Sequence, residues 1–129
     1  MQCIRFYGTY CSLWTKEPYG IFSVLYHLHR DGKLSSEEEV IYLETLDWFE
    51  TFMPVPVFYF ENKNSYRAVM WFKLHKKTEP FIERLLPFVE IALAHGQDIY
   101  VYIQEIESER IVYADDYQIA VVQENLKLN

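Results

Sequence analysis

Cysteine is scarce in this chain. Only Cys3 and Cys11 occur, with no CxxC spacing, which excludes a disulfide scaffold and a thiolate zinc site and fits reduced thiols in cytosol. Glycine is scarcer than is usual for a nucleotide binder, at 4 in 129 residues. No GxxxxGKS loop, GxGxxG fingerprint, GxSxG elbow or HExxH pair appears, so the standard phosphate-cradling, hydrolase-elbow and zincin motifs are absent. Long apolar runs are missing too, and Met1-Gln2-Cys3-Ile4-Arg5 lacks a basic stretch leading into a hydrophobic segment. The expected location is cytoplasmic, with no membrane partner. Basic residues are outnumbered, 12 against 19 acids, and the net charge of −7 disfavours direct binding to nucleic acid.

Rings are what the chain has in plenty: 3 Trp, 11 Tyr and 9 Phe. Such side chains build cores and also line pockets and partner surfaces, and their excess makes a homodimer reasonable. A length of 129 residues suits one domain, with a frayed tail from about residue 123. Acid is localised. Residues 35–62 hold Glu37, Glu38, Glu39, Glu44, Asp47, Glu50 and Glu61 with no Lys or Arg, so the whole net charge resides there.

Alternation predicts a strand over Gln2–Tyr7 ending at Gly8, then a ring-anchored loop to Pro18. Ile21, Val24, Leu25 and Leu28 recur at helical spacing, with Gly32 placed to cap the C-terminus. Ser35 or Ser36 followed by Glu38 or Glu39 forms a capping box. In the helix that follows, Ile41, Tyr42, Thr45, Leu46, Trp48, Phe49, Phe52 and Met53 share one arc, opposite Glu37, Glu44, Asp47 and Glu50. Pro54 and Pro56 force an extended passage through Val55–Tyr59. Arg67–Lys73 reads as a strand, Thr78 as the cap of a third helix that Pro87 should kink or break, and Ile99–Ile103 as a strand. Ile111–Tyr113 and Tyr117–Val122 form a hairpin turning at Asp115-Asp116. The fold class is α+β: a mixed sheet of four or five strands, with about three helices packed mainly on one face.

Two constellations are candidates for function. The stripe Glu37, Glu44, Asp47 and Glu50 lacks the interleaved Lys of a merely solubilising helix, and so suits docking to another protein that is basic or nucleic-acid-binding. On this reading the chain is a non-enzymatic interaction domain: an inhibitor, immunity or accessory protein. The alternative is a small-ligand binder or enzyme whose pocket uses Arg5, Trp71, Asp115, Asp116 and Gln118. No metal or cofactor is expected; His27 and His29 lie about 200° apart around a helix and cannot chelate together.

Tyr19-Gly20-Ile21-Phe22, Trp48-Phe49, Trp71-Phe72-Lys73, Ile111-Val112-Tyr113 and Asp116-Tyr117-Gln118 together resemble a group of small bacterial proteins, a resemblance that spans most of the chain and implies no activity. Arg5-Phe6-Tyr7-Gly8-Thr9 and Gly20-Ile21-Phe22 resemble segments flanking the nicotinamide site of the ADP-ribosyltransferase fold. This chain departs from that pattern, because Gly20 here opens a helix and no glutamate occupies a clear catalytic place near Tyr117-Gln118.

Overall fold

A computed structural model of the chain describes residues 1–13, 16–54 and 68–122. The elements run β1 (Gln2–Cys11), β2 (Pro18–Gly20), α1 (Ile21–Arg30), α2 (Ser36–Phe52), β3 (Val69–Lys73), α3 (Glu79–Ala94), β4 (Tyr100–Glu105), β5 (Ile111–Ala114) and β6 (Gln118–Val121). The fold is α+β, as expected. Among the described residues its sheet has six strands, every pairing is antiparallel, and it does not close into a barrel. The expectation of a mixed sheet of four or five strands is therefore corrected. Periodicity reports which face a side chain takes but carries no information on strand direction, and β2 is three residues long with Pro and Gly, types depleted in strands. No helix among the described residues is long and apolar enough to cross a membrane.

Gly8 does not end the first strand. β1 runs on to Cys11, and a Cβ at Gly8 would stand 2.8 Å from Val24 Cγ2, so the glycine lets α1 approach the strand closely. At the head of α2 the capping box forms at Ser35: its hydroxyl accepts from the Glu38 amide while the Glu38 carboxylate accepts from the Ser35 amide. Thr78 departs from the expected role. Its hydroxyl donates back to the carbonyls of Lys73 and His75, tying β3 to the turn before α3 rather than capping that helix. Nor does Pro87 break α3, which is helical from Glu79 to Ala94. The carbonyl it leaves without an amide belongs to exposed Glu83, where water can satisfy it. The extended passage at residues 55–59 lies outside the described residues.

The larger core joins Ile4 and Phe6 of β1 to Ile21, Leu25 and Leu28 of α1, Tyr42 and Phe49 of α2, and Phe81, Leu85 and Phe88 of α3. Rings meet at its centre, with Phe22 edge-on to both Phe49 and Phe88. A smaller core gathers Cys3, Val69, Ile106, Ile119 and Val121, with Trp71 and Ile111 against it. Strand alternation separates the two, since Cys3 and Arg5 point away from the side taken by Ile4 and Phe6.

Candidate functional site

β1 carries three neighbours, and this crowding makes the site. β4 pairs with Gln2 through Tyr7 along one edge, so β3, which pairs Cys3 and Ile4, and β2, which pairs Tyr7, must share the other. Between them Arg5 and Phe6 face a gap where β3 leaves β1 to pair with β6. A cavity of about 470 Å³ opens in this wedge. Its described walls include Phe22, Met53, Met70 and Phe72, with Arg5 and Gln118 as polar groups.

Arg5 is only 9% exposed, yet it stands in none of the ion pairs among the described residues. Its Nη2 donates to the Pro18 carbonyl, and its guanidinium carbon lies 5.8 Å from the centre of the Tyr7 ring. Burial pulls its pKa below the ordinary arginine value, partly countered by the charge of Glu17. An arginine nevertheless stays protonated at neutral pH, so the wedge holds a positive charge. The same Nη2 is 3.8 Å from where a Cβ on Gly20 would sit. Gly20 is the N-cap of α1, gives no side-chain cap, and is followed by a first turn without acid. The guanidinium and the positive end of the α1 dipole are thus placed together.

Of the residues marked by sequence, Arg5, Trp71 and Gln118 line the wedge together. Asp115 supports it from behind. Its Oδ1 accepts from the amides of Tyr117 (2.8 Å) and Gln118 (3.0 Å), and its Oδ2 accepts from Gln118 Nε2 (3.1 Å) and the Tyr113 hydroxyl (2.6 Å). Burial and that hydrogen bond push the Tyr113 pKa up to about 12. Gln118 Nε2 also donates to the Pro54 carbonyl at 2.8 Å, which fixes the chain beyond α2 against β6. Asp116 is outside this group: it is exposed, with Lys77 Nζ at 3.8 Å.

A second cavity of about 290 Å³ adjoins the wedge, sharing Arg5, Pro18, Val69 and Trp71 and adding Tyr7, Glu17, Tyr102, Gln104 and Arg110. Trp71 and Tyr102 meet edge to face across it, 6.2 Å between ring centres. The Nε of Arg110 is buried there without a hydrogen-bond partner. Sequence reasoning missed Arg110, Phe22, Met53 and Met70, whose convergence depends on strand pairings far apart in the chain. Only the clustering of Gly20, Ile21 and Phe22 after a Pro-Tyr pair was a local hint.

The acidic stripe lies elsewhere. Glu37, Glu44, Asp47 and Glu50 are all exposed on α2, and half-exposed Val40 and Leu43 stand among them. Their neighbours Glu38 and Glu39 do structural work: Glu38 Oε1 is 2.8 Å from His95 Nε2 and Glu39 Oε2 is 2.7 Å from His29 Nδ1, joining the head of α2 to the ends of α3 and α1. Gly20 closes β2 and Ile21 begins α1, so the Gly-Ile-Phe segment is split between strand and helix. No family model, curated protein or solved structure matches the chain.

Proposed function

We propose that this protein is a small-ligand-binding domain whose site is the wedge between β2 and β3. One observation carries the reading: a charged side chain, nine-tenths buried, faces a cavity and stands in none of the ion pairs among the described residues, the charge of Glu17 acting on it only from a distance. A purely structural arginine at such depth is normally ion-paired, because desolvating an unpaired charge costs several kcal/mol, roughly. The cavity's size falls in the ordinary range for small-molecule sites, about 300–1,000 Å³, and its walls combine apolar rings with a few polar groups. This reading takes the three helices to lie on one face of the sheet, leaving the wedge to open at the seam. Ala68 also lines the wedge, and Ala68→Phe would fill it. In a thermal-shift screen of small organic compounds, some should raise the melting temperature of the wild type and leave this variant unmoved. Compounds that stabilise both equally would remove the wedge from the account.

A second reading rests on α2. Exposed Val40 and Leu43 beside Glu37, Glu44, Asp47 and Glu50 form a surface that is both apolar and acidic, which suits a basic protein partner. Substituting Glu44, Asp47 and Glu50 by Lys should abolish capture of such a partner while the protein stays folded. Capture that persists would leave the stripe as a solvated face.

A further inference from the structure

We infer that the wedge takes the anionic group of a small organic acid, held by the Arg5 guanidinium and the first-turn amides of α1, with the acid's apolar body against Phe22, Met53, Met70 and Phe72. The inference rests on the ligand-site reading above and gives that ligand its charge. Two features act on the same point, and a third lies in the adjoining cavity. Arg5 is buried and in no ion pair among the described residues, and its Nη2 lies at the N-cap of α1. That ten-residue helix has neither a side-chain cap nor an acid in its first turn, so its opening amides are unneutralised. Two positive features brought together in a low-dielectric cleft repel, and an anion between them converts that repulsion into two attractions. The third feature is Arg110, whose Nε is buried without a partner in the adjoining cavity, where it shares the wall with Arg5.

Carboxylate and phosphate share the recognised chemistry: oxygens that accept from a guanidinium and from backbone amides. The walls choose between an inorganic ion and an organic one, since an apolar cleft of about 470 Å³ is far larger than a bare phosphate needs. Ser23, in the first turn of α1 and on the cavity wall, provides an internal control. Ser23→Asp places a carboxylate of the protein's own at the helix start, so it should raise the melting temperature and exclude the ligand's anion.

The test is a titration of the full chain with octanoate, octyl phosphate and 1-octanol, read on the backbone amides of Phe22 and Ser23. Either acid, or both, should move these signals and bind about tenfold or more tightly than the alcohol, the tighter of the two naming the headgroup. In Ser23→Asp that advantage should vanish while the fold is retained. The alcohol binding as tightly as both acids would overturn the anion inference and leave the ligand site standing. No response to any of the three would contradict the ligand site itself. Unchanged acid binding by folded Ser23→Asp would show that the anion does not sit at the α1 N-terminus.

Discussion

Asp115 shows how one carboxylate can organise a turn and a pocket wall together. It accepts four hydrogen bonds, from two amides, a carboxamide and a phenol, and so fixes the Gln118 side chain toward both the wedge and Pro54. Asp115→Ala should lower the stability by about 2–3 kcal/mol, read as a fall in the urea midpoint, because it leaves several half-buried donors unpaired. Asp116→Ala, at the exposed neighbour, should change it little. Glu38 gives a pH signature. The Ser35 amide, and then His95, hold its carboxyl below the usual glutamate range. A depressed folded-state pKa adds stability above the unfolded value that is lost as pH falls through the folded one. Between about pH 5 and pH 3, the melting temperature of the wild type should therefore fall more steeply than that of Glu38→Gln. The Asp-Asp-Tyr-Gln sequence marked this hairpin as polar and turn-forming. Which aspartate faced inward was not legible, because both fit the turn and only the contacts that Asp115 makes with Tyr113 and Gln118 separate them.

The elements were read best where their signals are local. Ser35 and Glu38 box the start of α2 through bonds three residues apart, and Gly32 and Gly96 follow α1 and α3 with positive φ. Gly8 was misread because a glycine that ends a strand and one that admits a helix look the same in sequence. Gly8→Ala should cost about 1–2 kcal/mol, since Val24 is stiff and cannot yield, and Val24→Ala in the same chain should recover most of it in denaturant titrations. Among the described residues β4 is paired on one side only, by β1. Tyr100, Val101, Tyr102 and Ile103 are each about half exposed, and the strand has neither Lys nor Pro to deter pairing. At high concentration the wild type should self-associate, and Ile103→Lys should reduce the mass seen by light scattering.

For the whole molecule, the wedge follows from topology rather than from any motif. Residue 5 meets residues 18 to 23 and 68 to 72 only because two strands divide one edge of β1, and no periodicity records such a division. Arg5, Trp71 and Gln118 could be marked as chemically interesting from sequence; that they line one cavity could not. The stripe on α2, by contrast, is exposed as its spacing implied. The central claim is that the wedge is a ligand site, and the chain's three methionines test it directly: Met53 and Met70 line the cavity, while Met1 does not. In a methyl-labelled methionine spectrum, a bound organic acid should shift the Met53 and Met70 signals and leave Met1 in place. Shifts at Met1 alone, or equal small drifts at all three, would contradict the account.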